Sequence, residues 1–220
     1  MKAARASLHM NVSPLIVAAF GQAAQKYPEI HRSWITASFR VGSLLPNSLL
    51  SMCIQRDGWL DMVLRCMEDE LAAGSHAGAQ GEYHFQNLLS ELWIGSVYET
   101  LRLLKARKLM PDSGESLALL NDLSLIRMPL EKHEIAKDQA LKNPLQMQAH
   151  PPNNERTDFY VYDKDDPTRA HIMPRGVSPR GSVMWQLLDV KANQERWVER
   201  RGLSDRLLSL WCANIQAPVA

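Results

Sequence analysis

The sequence predicts a mainly α-helical fold, a multi-helix bundle with a long antiparallel helical hairpin and a small β-hairpin appended near residues 158–173. Apolar residues recur at three- and four-residue spacing over most of the chain, and the longest such pattern runs over residues 82–108. Strand-like alternation is confined to one stretch after residue 155. The 220 residues, 45% hydrophobic and 22% charged, suit one domain of ordinary globular composition.

Three helices are expected in the first third of the chain. Ser13-Pro14 precedes a run of apolar residues and provides the cap and first-turn chemistry that starts a helix. Arg56-Asp57-Gly58 predicts a break before the third helix, and residues 1–10 are expected to form a disordered leader. The expected bounds of the three helices are 13–27, 29–41 and 59–73.

The helical hairpin is expected from residues 82–108 and 115–141. A kink or break is predicted just before Pro129, because proline removes a helical hydrogen bond and clashes with the preceding turn. The first of these helices should bury one continuous apolar stripe. That stripe consists of Phe85, Leu88, Leu89, Leu92, Trp93, Val97, Leu101 and Leu104.

The last third of the chain contains the predicted strands. After a Pro- and Asn-rich linker at 143–155, the segments 158–162 and 169–173 flank a polar turn and predict the β-hairpin. Helical spacing then predicts a helix over residues 182–199 and a short last helix that begins at Ser204.

The whole chain is expected to form one cytoplasmic domain. Residues 1–220 make a single helical domain, with a loop and β-hairpin insertion at 143–181 and C-terminal helices at 182–214. The balance of 25 basic against 24 acidic residues argues against a global field for nucleic acid or membrane. Three cysteines without CxxC spacing favour reduced thiols rather than disulfides or zinc. No membrane-spanning run, metal motif or cofactor motif is recognised in the sequence.

Arg127 and His133 are the leading candidates for catalysis. An imidazole can move the proton of a ribose 2′-hydroxyl while a guanidinium neutralises the phosphate, which would allow metal-independent RNA cleavage. An Arg followed by a His on the second helix of a long hairpin resembles the signature of the HEPN family of small all-helical domains. The resemblance covers about residues 82–142. It implies an RNA-directed homodimer in which two Arg-His pairs share one cleft, with Arg127 and His133 as the catalytic residues.

A non-catalytic interpretation of the same pair remains open. Arg127 can form an i,i+4 ion pair with Glu131 on a solvated face, while His133 packs beside apolar neighbours. The chain would then be a binding or regulatory module with a protein partner. Six residues at about 100° each leave the two side chains about 120° apart on a straight helix. They converge only if Pro129 bends the backbone or a second subunit completes the site.

A local basic patch follows the linker. Its members occur with no acidic residue between Pro167 and Leu188, and they predict contact with phosphate or the RNA backbone. These residues are Arg169, His171, Arg175 and Arg180.

Two further patterns bear on nucleotide chemistry. Residues 176–182 have the two-glycine spacing of a phosphate-binding loop, but Ser182 stands where such a loop needs lysine, which favours ordinary turn chemistry. Asp189 and Lys191 form the D-x-K pattern of a magnesium-dependent nuclease, a second alternative function. That alternative requires a strand, whereas the apolar spacing of the segment predicts a helix.

Overall fold

The computed structural model describes residues 11–74, 80–110, 113–148 and 159–213, which contain six α-helices and five short strands. The mainly α-helical class is confirmed. The helices are α1 (Val12–Lys26), α2 (Pro28–Gly42), α3 (Leu50–Ala72), α4 (Gln80–Ala106), α5 (Gly114–Lys132) and α6 (Arg200–Ala213). The strands are β1 (Leu145–Gln148), β2 (Phe159–Tyr162), β3 (Arg175–Val177), β4 (Val183–Asp189) and β5 (Gln194–Glu199). The predicted leader, residues 1–10, lies outside the described residues.

The strands form two antiparallel sheets, one of β1 and β2 and one of β3, β4 and β5. One apolar core joins the helices to the three-stranded sheet. α3 packs against α2 and α4, and α5 and α6 pack against β4. Four tryptophans anchor this core, namely Trp34, Trp93, Trp185 and Trp211. α4 and α5 form the predicted antiparallel hairpin, since Gly95 faces Glu131 and Glu99 pairs with Arg127.

The predicted break at Arg56-Asp57-Gly58 is wrong, because α3 begins at Leu50 and continues through these residues. The glycine serves close helix packing instead of a turn. A Cβ atom at position 58 would lie 2.6 Å from Cγ of Trp34 on α2, so only glycine lets the two helices approach this closely.

The first sheet pairs different segments from those predicted. β2 lies antiparallel to β1, with Leu145 opposite Tyr162, and β1 falls within the predicted linker. Residues 169–173 are not a strand, because contacts with the end of α5 hold them. The backbone N–H of His171 donates to the carbonyl of His133 at 2.7 Å, and Arg169 pairs with Glu134.

The predicted helix over residues 182–199 is wrong. β4 and β5 form an antiparallel hairpin there, with Trp185 opposite Val198. Alternate residues of β4 (Val183, Trp185 and Leu187) face the core, which is the two-residue period of a strand. Asn193, with φ of 50°, provides the left-handed residue of the connecting turn. Within the predicted C-terminal pair, only the last helix exists, and it begins at Arg200.

In the described ranges, no helix combines the length and the apolar character needed to cross a bilayer.

Candidate functional site

Arg127 is held by carboxylates on two helices. Its Nε donates to Glu131 at 2.8 Å, and its Nη2 lies 3.3 Å from a carboxylate oxygen of Glu99 on α4. The guanidinium also lies over the ring of Tyr98, 4.8 Å from the centroid. The i,i+4 pair with Glu131 is the one that the non-catalytic interpretation predicted.

His133 lies at the end of α5, where it caps the helix. Its side chain is exposed, and its backbone has the left-handed conformation with φ of 56°. The backbone N–H of His133 donates to the carbonyl of Pro129. α5 runs unbroken through Pro129, so the proline does not divide the helix between the two predicted catalytic residues. Arg127 and His133 therefore have different partners: the Arg127 side chain pairs with carboxylates of α4 and α5, whereas the His133 backbone caps α5.

The predicted basic patch is neutralised within the chain. Arg169 pairs with Glu134 and Asp138, Arg175 with Glu91, and Arg180 with Glu199 and Asp205. His171 is buried, and its Nδ1 shares a hydrogen bond with the Tyr160 hydroxyl at 2.7 Å. Burial lowers the pKa of His171 to about 4, so this imidazole is neutral at pH 7. All three arginines of the patch thus already have acidic partners.

The two nucleotide-related patterns have structural roles. Asp189 ends β4, and its carboxylate accepts hydrogen bonds from Asn121 and from the backbone of Lys191 and Ala192, which closes the β4–β5 turn. In the glycine loop, the Ser182 hydroxyl donates to Glu68 at 2.7 Å. A second carboxylate, Glu199, accepts from the hydroxyl of Ser178. Two carboxylates bonded to the loop disfavour an anion there.

The predicted core stripe of α4 is only partly buried, which is a correction. Trp93, Val97, Leu101 and Leu104 lie in the core. By contrast, Phe85, Leu88 and Leu92 are 63%, 51% and 57% exposed. These three residues lie at i, i+3 and i+7, so they form a separate apolar stripe on one face of the helix.

This stripe continues into a groove that runs over α4 between α3 and α5. We define the α4 groove by its floor, the exposed face of α4 from Phe85 to Glu99, and by walls formed by Cys53, Arg56, Arg127, Leu130 and Glu131. Leu88, Leu92, Gly95, Ser96 and Glu99 line the cavities of the groove, and Phe85 extends the apolar floor beyond them. It contains two neighbouring cavities of about 630 and 370 Å³, and both include Gly95, Ser96 and Glu131 in their linings. From Phe85 to Glu99 the floor is about 21 Å long at 1.5 Å per helical residue. Arg127 lines the smaller cavity, whose lining does not include His133.

A polar cluster lies at the middle of the floor. Arg56 Nη2 donates to the Ser96 hydroxyl at 2.7 Å, and that hydroxyl donates to Asp57 Oδ1 at 2.6 Å. Asp57 is buried, and within the described part of the chain its Oδ2 has no hydrogen-bond partner. Burial raises the pKa of Asp57 to about 6, although Ser96 and Arg56 act in the opposite direction. A buried carboxyl group with a raised pKa therefore lies beneath the floor of the groove.

We expect Asp57→Asn to become more stable relative to the wild type as the pH rises. The folded-state pKa lies above the unfolded value, so between about pH 4 and 6 the folded protein binds the proton more tightly, and ionisation above that window opposes folding. The difference in unfolding free energy, variant minus wild type, should increase by roughly 2–3 kcal/mol between pH 4 and 7. Urea unfolding at a series of pH values measures it.

The exposed Asp165→Asn variant controls for the loss of one negative surface charge. A difference for Asp57→Asn that stays constant with pH would show that folding does not raise the pKa of Asp57.

The interface between α3 and α6 contains a buried ionic network that the sequence reading missed. Arg200 donates to Asp61 at 2.6 Å and to Glu68 at 2.7 Å, and Arg65 donates to Asp61 at 2.9 Å. All four side chains are buried. Positions 61, 65 and 68 share one face of α3, because they lie at i, i+4 and i+7. This spacing of charged residues is the feature of the sequence from which the network could have been predicted. The network joins α6 to the bundle and lies apart from the residues that line the α4 groove.

Comparison of the chain with protein-family models, with curated proteins and with solved structures finds no match.

Proposed function

We propose that this chain is a non-catalytic protein-binding module that holds an amphipathic helix of a partner protein in the α4 groove. The observation that carries the proposal is the exposed stripe of Phe85, Leu88 and Leu92 on a helix whose opposite face lies in the core. Contiguous exposed apolar side chains with a polar rim are typical of protein interaction sites.

The dimensions and chemistry of the groove suit a helix. Its floor of about 21 Å accommodates four turns of a partner helix, which would present apolar residues at the i, i+3 or i+4, and i+7 positions. Gly95 has no side chain and Ser96 has a small one, so a partner side chain can approach the backbone of α4 there. Both signs of charge line the rim, with Arg56 and Arg102 beside Glu99, and these side chains can pair with a mixed polar face.

The RNA-cleaving function implied by the HEPN resemblance stays a prediction, and the contacts of its two residues favour the binding module. A guanidinium that neutralises phosphate must be free of competing carboxylates, whereas Arg127 has Glu131 and Glu99 as partners. The backbone of His133 caps α5: its N–H donates to the carbonyl of Pro129, and its carbonyl accepts from the N–H of His171.

The binding proposal can be tested with a displayed library of helical peptides whose apolar positions are fixed and whose polar positions are randomised. We expect enriched peptides to bind the full chain with micromolar Kd, and Leu92→Glu to weaken that binding at least about tenfold, since it places a charge in an apolar contact. Leu117→Glu is the matched control, because Leu117 is 43% exposed on α5 and is not part of the groove.

Two outcomes would contradict the proposal. One is a library from which no peptide is enriched, or whose peptides bind the Leu92 and Leu117 variants equally. The other is cleavage of single-stranded RNA by the purified chain in the presence of a metal chelator, lost in both Arg127→Ala and His133→Ala, which would establish the catalytic function instead.

A further inference from the structure

The first half of α1 has almost no packing partner among the residues that the structure describes. Every residue from Asn11 to Ala19 is exposed, and Ala23 is the one buried side chain of this helix, all of which is described. The exposed residues include Val12, Leu15, Ile16 and Val17, so the uncovered surface is apolar.

A helix in this situation is not expected to be stable by itself. Isolated helices shorter than about 12–15 residues are marginal in water, and most helical stability in proteins comes from packing. α1 also has β-branched residues in its first turns, and Asn11 makes no capping hydrogen bond with its side chain. The described residues therefore leave the first two turns without the packing that would stabilise them.

A groove of about 750 Å³ lies beside this helix. We define the α1 groove by the side chains of Val17, Phe20, Met52, Trp59 and Leu60, which line it from α1 and α3. Aromatic residues and methionine are enriched at the centres of protein interfaces, and charged residues are depleted there. Arg56 is the charged residue in the lining, and its guanidinium is already bonded to Ser96.

We infer that the α1 groove receives α1 from a second copy of this chain, in a two-fold symmetric dimer. In such a dimer the same patch faces itself, so a charged helix would repel its copy, whereas residues 12–25 contain no charged side chain. The symmetry also means that one partner covers both the exposed helix and the groove. A membrane-surface helix would need basic residues along its polar face, and α1 has only Lys26 at its end.

The dimer can be tested by sedimentation velocity on the full chain at micromolar concentration. We expect a particle of twice 24.9 kDa for the wild type, and we expect Val17→Glu to raise the dimer dissociation constant at least about tenfold, because each copy then buries a carboxylate. Val161→Glu is the matched control, since Val17 and Val161 are both 69% exposed and Val161 lies on β2. This control should remain dimeric.

Amide hydrogen exchange provides a second measurement that is independent of particle size. Residues 16–20, whose N–H groups are bonded inside the helix, should exchange slowly in the wild type and rapidly in Val17→Glu, while the protection of α4 stays the same in both proteins. A wild type that is monomeric, or a Val17→Glu variant as dimeric as Val161→Glu, would overturn the inference. The two grooves share Arg56, but neither Val17 nor Val161 lines the α4 groove, so neither result bears on peptide binding there.

Discussion

Gly181→Ala should lower the free energy of unfolding by more than about 3 kcal/mol, a large part of the stability of an ordinary domain. Gly181 has φ of +74°, and a Cβ atom there would lie 2.0 Å from the carbonyl oxygen of Glu68 and 2.9 Å from the backbone nitrogen of Ala72. Both of these atoms belong to the backbone of α3, so no side-chain rotation can relieve the clash.

The loop around Gly181 is fixed to the bundle and cannot move away without breaking other contacts. The carbonyl of Gly181 accepts a hydrogen bond from Gln86 on α4 at 2.7 Å, and the neighbouring Ser182 donates to Glu68. Both contacts are buried, so separating the loop from α3 would leave polar groups without partners.

Gly74→Ala is the matched control for Gly181→Ala. Gly74 has a similar φ of +65°, but a Cβ atom there meets nothing within 4 Å. Its replacement should lower the unfolding free energy by only about 1–2 kcal/mol, which is the strain of a left-handed alanine. Urea unfolding followed by far-UV circular dichroism compares the two variants, and equal losses of stability would show that the close approach to α3 does not exist.

Arg200→Met should lower the unfolding free energy by about 3–5 kcal/mol, because it leaves two buried carboxylates without a main partner. Asp61 would keep Arg65, but Glu68 would keep only the Ser182 hydroxyl among its hydrogen bonds described here. Arg32→Met is the control, since Arg32 forms an exposed pair with Glu29 whose loss should change stability by less than about 0.5 kcal/mol.

A second substitution separates charge from packing in this network. Adding Glu68→Gln to Arg200→Met should restore part of the lost stability, because it removes one of the uncompensated charges. No recovery in the double variant would mean that the guanidinium acts mainly by filling space. Thermal and urea unfolding of the wild type, the two single variants Arg200→Met and Glu68→Gln, and the double variant give the coupling free energy between the two positions.

The same network makes stability depend on acid. Burial would raise the pKa of Asp61, but the charges of Arg200 and Arg65 outweigh burial and lower it below its ordinary value of 3.8. A carboxyl group whose folded pKa is depressed stabilises the fold above the unfolded pKa, and this contribution is lost as the pH falls through the folded value.

Local chemistry was enough to predict much of the helical body. Ser13-Pro14 and the apolar periodicity of residues 82–108 and 115–141 involve residues close in sequence, and α1, α4 and α5 begin within about two residues of the expected positions. The same logic misread Gly58, because the residue that requires a glycine there is Trp34, on another helix.

The strands after residue 182 show why periodicity can mislead. Val183 and Leu187 are four residues apart, which suits a helix, yet they are also alternate members of a strand with Trp185 between them. Burial of all three side chains in the core and pairing with β5 favour the strand over the helix. Neither interaction can be predicted from a short window of sequence.

The sequence by itself determined the helical class and the positions of α4 and α5, because helical periodicity depends on residues within a few turns of one another. For Arg127 it offered the ion pair with Glu131 as one of two interpretations. Only the tertiary structure decided which apolar residues of α4 stay exposed in a groove, and which charges meet inside the protein. Asp61 and Arg200 lie 139 positions apart, and the exposure of Leu92 in its cavity depends on where α5 lies beside α4. Burial and ion pairing are properties of the assembled helices, so they cannot be derived from spacing along one of them.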